Sequence, residues 1–267
     1  MTRPAHMVFW IMFGLILPTM SFGGEYSERT ERDEVLANVV EQGVDRTWAA
    51  ALLDQAERKQ SILDAISRPA EKTKPWYEYR KIFLTDKRAR EGVAFAQQNA
   101  ETLAKVSDQT GVPASVITAI IGVETFYGRI TGSYRVIDAL ATLAFDYPKR
   151  SPFFTRELQN FLVLAYESGK DPLALKGSYA GAMGYGQFMP SSYRAYAVDY
   201  DGDGVADIWT NADDAIASVA NYFLRHGWEP GAPVIVPAKY DGDSSEELPG
   251  GLKPQQPGGE LADEGLA

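Results

Sequence analysis

Cysteine is absent from all 267 residues, which excludes disulfides, thiolate metal sites, a cysteine nucleophile and an acyl anchor carried on cysteine. Histidine is almost absent, with only His6 and His226. His6 falls in the extreme N-terminal segment, so a Ser-His-Asp triad would have to use His226. That residue sits in Leu224-Arg225-His226-Gly227-Trp228, at an expected helix end, where capping explains it better than catalysis. Positive charge is also scarce: 26 Lys and Arg stand against 36 Asp and Glu, a net charge of −10. No basic stripe is available to neutralise phosphates, which argues against a nucleic-acid partner. Apolar runs are short. The longest, residues 7–20, follows Arg3 and precedes the small-residue stretch Ser21-Phe22-Gly23, the pattern of an export signal cleaved near residue 23. It is short for a membrane span, and a retained signal anchor is the alternative reading.

What is present describes a globular, mainly α chain, 45% hydrophobic and 12% aromatic. Helical spacing runs through residues 25–67, breaks at the prolines of 69–75, and resumes over 86–110. Further helical runs are expected at 137–146, 153–167 and 215–226, whereas 176–190 is glycine-rich and reads as mostly irregular. Residues 241–267 are rich in Gly, Pro, Asp and Glu and read as disordered. The expected organisation is a signal peptide (1–23), an N-terminal helical region (24–75), a core (76–236) and a tail (237–267).

One acid is out of keeping with its neighbours. Pro113 suits a helix start, and Ile117, Ile120, Ile121 and Glu124 then fall at i, i+3, i+4 and i+7 on one stripe. Glu124 therefore shares a face with residues that normally pack a core. Loss of hydration there should raise its pKa and let it act as a proton donor near neutrality, as glycosidic cleavage requires. A structural carboxylate paired with an Arg is the other possibility at this point.

A second signal is Asp199-Tyr200-Asp201-Gly202-Asp203-Gly204-Val205-Ala206-Asp207. Asp199, Asp201, Asp203 and Asp207 occupy loop positions 1, 3, 5 and 9, Gly204 position 6, and Val205 can offer a carbonyl at position 7, as in an EF-hand calcium loop. Position 12 is Thr210 rather than a bidentate Glu, and Asp213 or Asp214 is placed to supply the missing oxygens. A structural Ca2+ follows from this reading; a solvated acidic turn is the alternative.

The stretches Gly122-Val123-Glu124-Thr125-Phe126-Tyr127-Gly128, Asp138-Ala139-Leu140-Ala141-Thr142-Leu143-Ala144-Phe145 and Gly177-Ser178-Tyr179-Ala180-Gly181-Ala182-Met183-Gly184-Tyr185-Gly186-Gln187-Phe188-Met189-Pro190-Ser191 resemble the lytic murein transglycosylase B family, glycoside hydrolase family 103. The calcium loop and Ser218-Val219-Ala220-Asn221-Tyr222-Phe223 follow in the family order, and the resemblance covers residues 76–228. It implies a lysozyme-like helical core that cleaves the β-1,4 bond between N-acetylmuramic acid and N-acetylglucosamine in peptidoglycan, with Glu124 as sole acid and base and a 1,6-anhydro product. It also implies sugar-binding roles for Ser178, Gln187, Tyr79 and Tyr222, and for Phe153, which stands where the family often has tyrosine. A hydrolytic muramidase and an inactive, calcium-stabilised glycan-binding protein are the alternatives. Asp138 and Asp146 are possible second carboxylates, although a helix start and a helix end explain them more simply. The resemblance further implies a periplasmic monomer acting on glycan strands alongside cell-wall synthesis or remodelling proteins. The family's C-terminal strand-containing segment is expected to be missing beyond residue 267.

Overall fold

A computed structural model describes residues 24–68 and 74–235; the expected signal peptide and tail lie outside the described residues. The fold is mainly α, as expected, and it is organised around one helix that has no polar face. In α8 (Val136–Asp146) every residue from Val136 to Phe145 is buried, which marks a helix enclosed on all sides. Its principal neighbour is α9 (Ser151–Ser168), which presents Phe154, Leu158, Phe161 and Leu162 to it and ends at Gly169 with φ 64°. On the other side of α9 lie α1 (Thr30–Glu41) and α10 (Pro190–Tyr196), while α3 (Gln60–Ser67) rests on α8.

The helical pattern of residues 25–67 resolves into three helices, α1, α2 (Arg46–Leu53) and α3. Asp45 caps α2 by accepting the Trp48 N–H at 2.7 Å. The link between α2 and α3 is fixed to α8 by two buried polar groups. Asp138 accepts the Glu57 N–H at 2.9 Å and Thr142 Oγ1 accepts the Lys59 N–H at 3.0 Å. Asp138, 2% exposed, also receives Arg135 through Nε at 2.7 Å and Nη2 at 2.8 Å. Asp146, at the other end of α8, is engaged by Arg29 and Arg58. Both acids are therefore committed to ion pairs; those of Asp146 reach the N-terminal segment, whereas Asp138 pairs with Arg135 beside it and reaches that segment through the Glu57 N–H.

The remaining helices form the wall that carries the site. After the single turn α4 (Trp76–Tyr79), the pattern of residues 86–110 appears as two helices, α5 (Asp86–Gln98) and α6 (Ala100–Thr110). The break is at Asn99, whose backbone leaves helical geometry (φ −113°, ψ 26°) while its side chain donates to the Phe95 carbonyl at 2.8 Å. This is the local competition for backbone acceptors that makes Asn a poor helix-interior residue. Next come α7 (Ala114–Thr125), packed on α5, and α11 (Ala212–Arg225), packed on α6 and α7. The glycine-rich stretch after residue 175 is more regular than its composition implies. Strand β2 (Lys176–Gly177) pairs antiparallel with β1 (Tyr134–Arg135), and bridges Gly177–Met183 and Met183–Phe188 fold the loop back on itself.

Removing one partner of a buried charge pair leaves the other uncompensated. Asp138→Ala should cost about 3 kcal/mol of stability in urea unfolding; a loss within the error of the wild-type curve would show that Asp138 does not anchor the 57–59 link.

Candidate active site

The stripe anticipated on α7 leaves the core before it ends. Ile117 and Ile121 are fully buried, Ile120 is half-buried, and Glu124 is exposed on a cleft wall. This corrects the expectation of a core-embedded carboxyl. Helical periodicity identifies the face, but the core stops one turn earlier because α7 terminates at Thr125 and the chain reverses. Three successive residues then have positive φ: Phe126 at 52°, Tyr127 at 62° and Gly128 at 79°. Left-handed backbone at two bulky residues is strained and persists only where surroundings over-determine it. At Gly128 a Cβ would come within 2.3 Å of the Tyr185 ring, so the turn needs glycine for space as well as conformation.

Thr125 supplies much of that constraint. Its buried hydroxyl lies 2.9 Å from the Tyr185 carbonyl and 3.2 Å from the Ile121 carbonyl, and it accepts the Gly128 N–H at 3.0 Å. One side chain thus joins the end of α7 to the glycine-rich loop. Tyr127 adds a second tie, donating its hydroxyl to the Arg88 carbonyl at 2.9 Å.

Across the cleft stands Gln187, also left-handed at φ 51°. Its Nε2 donates to the carbonyls of Thr131 at 3.2 Å and Gly184 at 3.0 Å, which fixes the side chain and leaves the amide oxygen without a protein donor among the described residues. The cleft, ≈ 340 Å³, is lined by Glu124 and Gln187 with Ile120, Met189, Ser192 and Tyr222. Among the described residues Glu124 is the only carboxylate on its walls. Partial burial holds its pKa above the usual glutamate range. A carboxyl of that kind, open to a ligand on one side and desolvated on the other, is suited to hold a proton and release it to a bound base.

Tyr222 reaches the cleft from α11 and is held from behind. The His226 ring stacks on it at 4.0 Å between centroids, and the Tyr196 ring meets it edge-on at 5.3 Å. His226 Nδ1 lies 2.7 Å from the Tyr222 carbonyl, so this histidine closes the helix end and supports the aromatic wall. The structure brings Glu124, Gln187 and Tyr222 together. It leaves three other expected sugar contacts outside this cleft. Ser178 turns its hydroxyl inward to accept the N–H groups of Ala180 and Ala182 at 3.3 and 3.1 Å. Tyr79 packs on Trp76 and Phe83, and Phe153 packs on Phe154 beneath the Arg150 guanidinium. Residues not singled out from sequence, Thr125, Met189 and Ser192, belong to the constellation; Thr125 and Met189 lie inside the quoted motifs, and Ser192 follows immediately.

At the acidic loop, carboxylate oxygens of Asp199, Asp201 and Asp214 lie within 4.8 Å of one another. Asp214 is fully buried and accepts the N–H groups of Tyr200 at 2.8 Å and Asp207 at 2.7 Å. Burial, together with the charges of Asp201 and Asp199, raises its pKa against the effect of those bonds. No cationic side chain pairs with these three acids among the described residues. That donor set, hard oxygens crowded around a buried carboxylate, fits a divalent cation such as Ca2+. Asp203 and Asp207 lie outside the cluster, in contrast to the expected ligand set. Asp203 accepts the Val205 N–H at 2.8 Å. Asp207 is paired with Lys170 at 3.0 Å and Thr210 at 2.8 Å; burial raises its pKa, and these bonds with two backbone N–H groups overcome that and lower it.

Comparison with known proteins gives a consistent result. The transglycosylase SLT domain model matches residues 27–267. The chain is 43% identical to membrane-bound lytic murein transglycosylase B of Escherichia coli K12, covering 92% of this chain and 70% of that protein. Among solved structures it is similar to catenated lytic transglycosylase SltB1 of Pseudomonas aeruginosa, with 51% identity, TM-score 0.86, and 91% and 81% of the two chains covered. It is also similar to the E. coli lytic transglycosylase Slt35 in complex with calcium, with 43% identity, TM-score 0.82, and 92% and 77% covered.

The raised pKa of Glu124 has a sign. Ionised Glu124 is penalised in the folded chain at neutral pH, and the penalty vanishes once the acid is protonated in both folded and unfolded states. Glu124→Gln should therefore be more stable than wild type at pH 7, with the difference shrinking as pH falls from the raised folded-state value toward about 4.3, the ordinary glutamate value, and gone below it. A constant difference across that range, measured by thermal melts, would rule out the desolvated carboxyl.

Proposed function

Because the chain belongs to the transglycosylase SLT domain family, we propose that it is a peptidoglycan lytic transglycosylase in which Glu124 is the single acid–base group. The observation that carries this reading is the solitary carboxyl in the cleft. Glu124 has a raised proton affinity, and no second acid lines the walls among the described residues. Of the other acids in the core, Asp138 and the half-buried Asp146 are engaged by arginines, and buried Glu157 accepts the N–H and hydroxyl of Ser191. Ordinary glycosidases need two carboxylates, one to protonate the leaving oxygen and one to attack or to activate water. A site with one acid suits a substrate that brings its own nucleophile.

In that mechanism the protonated Glu124 carboxyl donates to the glycosidic oxygen as the bond from muramic C1 breaks. The resulting carboxylate then accepts the proton of the muramic C6 hydroxyl, whose oxygen closes on C1. The proton lost at the first step returns at the second, water is not consumed, and the product is a 1,6-anhydromuropeptide. Gln187 offers its amide oxygen to a sugar N–H or O–H, and Tyr222 offers a ring face and a hydroxyl. Ser178, Tyr79 and Phe153 do not line this cleft, and their expected contacts would be made by sugars outside it. The murein substrate places the working site outside the cytoplasm; no helix among the described residues is long and apolar enough to cross a membrane.

Ca2+ held by Asp199, Asp201 and Asp214 would neutralise the repulsion of three clustered acids and lock the loop on the start of α11. Its role would be structural, since the ion's ligands are not among the cleft residues.

Glu124→Gln should lower release of anhydromuropeptides by about 10²–10⁴-fold, the usual worth of a general acid–base group. Mass spectrometry of the digest decides between readings: products heavier by one water identify hydrolysis, and full activity of the variant removes Glu124 from the chemistry. Chelation by EGTA should lower the melting temperature of wild type and leave Asp214→Asn nearly unaffected. Equal melts of wild type with and without added Ca2+ would argue against the metal reading.

A further inference from the structure

Glu157 is a buried acid that the chemistry of the cleft does not use. It is 4% exposed, on the face of α9 that also buries Phe154, Leu158 and Phe161. Asp138 and Asp146 are paired with arginines, but among the described residues no cationic side chain pairs with Glu157. A carboxylate in such a place is costly unless donors occupy its oxygens. Ser191, thirty-four positions on, occupies both, donating its N–H to Oε2 at 2.9 Å and its hydroxyl to Oε1 at 2.7 Å. Ser191 stands in the first turn of α10, and the N-cap residue of that helix, Met189, offers no side-chain acceptor. Glu157 therefore caps the turn from another helix, where a negative charge suits the unpaired N–H groups. The same turn borders the cleft. Gln187, Phe188 and Met189 lead into it, Ser192 follows Ser191, and these four line the space that Glu124 faces.

We propose that Glu157 is a positioning residue for the reaction, acting through Ser191 to hold Met189 and Ser192 in place across from Glu124. The proposal rests on the transglycosylase reading above and adds a residue to it. Glu157 does not line the cleft, so it touches no sugar there. Its leverage is rigidity. Because α9 packs along the fully enclosed α8, a bond from α9 to the wall ties that wall to the most constrained part of the core. A sugar held between the wall and Glu124 then meets the acid in one orientation, and a shifted wall misplaces the glycosidic oxygen. A second tie joins the same two helices: Arg194 Nη1 donates to Asn160 Oδ1 at 2.8 Å. Neither of those residues lines the cleft, so this tie joins α10 to α9 without bearing on Met189 or Ser192 and serves as an internal control.

The test is steady-state release of muropeptides by folded variants, measured well below their melting temperatures. Glu157→Leu should lower kcat/KM by about 10²-fold, the scale of a small misplacement remote from the chemistry, and should raise KM as well as lower kcat. Loss of folded protein alone would lower the apparent kcat and leave KM unchanged. Glu157→Gln should retain most of the wild-type activity, since its amide oxygen can accept the Ser191 N–H and its nitrogen can donate to the Ser191 hydroxyl. Arg194→Ala should leave both constants at wild-type values. An unchanged KM in folded Glu157→Leu, equal losses in the Leu and Gln variants, or an equal rise in KM from Arg194→Ala would overturn the proposal. If Glu157→Leu does not fold, Ser191→Ala removes one of the two bonds at a half-buried position and must still raise KM; an unchanged KM there also overturns it. A wild type that releases nothing from peptidoglycan refutes the enzymatic reading instead. Calorimetric titration of a murein tetrasaccharide into Glu124→Gln, with and without Glu157→Leu, then decides the role of Glu157: weaker binding with Leu supports it, and equal affinity or no binding by either overturns it.

Discussion

The hydroxyl of Thr125 is the contact on which the geometry of the cleft depends. It is buried at the point where α7 stops, and it bonds at once to its own helix, to the reversing turn and to the Tyr185 carbonyl of the glycine-rich loop. In a low-dielectric setting such a shared bond is strong, and any of its partners left unmatched would be expensive. The consequence is that Glu124 and Gln187, separated by more than sixty positions in sequence, face each other across one space. The three non-glycine residues with positive φ, Phe126, Tyr127 and Gln187, all lie within this junction. Strain concentrated there is balanced by the ties of Thr125, Tyr127 and the Gln187 amide.

Two kinds of electrostatics serve this junction from a distance. On the core side, buried acids are matched by arginines: Asp138 with Arg135, and Asp146 with Arg29 and Arg58. On the loop side, Asp199, Asp201 and Asp214 converge with no side-chain cation between them among the described residues. The difference has a structural reading. The arginine pairs fix segments that flank helices to the two ends of α8, whereas the acidic cluster sits in a loop whose backbone N–H groups converge on Asp199 from Gly202, Asp203 and Gly204. Because α11 starts at this cluster and carries Tyr222 at its other end, the register of the acidic loop is transmitted to the cleft wall.

Much of this was legible in the residues. The spacing of Ile117, Ile120 and Ile121 identified the packed face of α7, and the Asp-rich run marked the loop where Asp199 and Asp201 converge with Asp214. The misreadings have particular causes. Asn99 divides a helix-like pattern because its side chain competes for a backbone carbonyl, which periodicity does not register. Glu124 lies on the predicted face but beyond the end of the core, and a stripe carries no information on where its neighbours stop. Ser178 also accepts two N–H groups of its own loop, and Asp207 also pairs with Lys170, thirty-seven positions earlier, contacts that motif position does not register.

The order of apolar and acidic residues by itself determined a mainly helical chain, an acid set on an otherwise apolar face, and a loop of hard oxygen ligands, because these depend on interactions within a few residues. Tertiary structure alone decided which side chains share a space: that Glu124 meets Gln187 and Tyr222, that Asp138 and Asp146 are neutralised by arginines, and that Glu157 meets Ser191. Those outcomes depend on contacts between segments far apart in the chain, whose distances are set only when α8, α9 and α11 have packed.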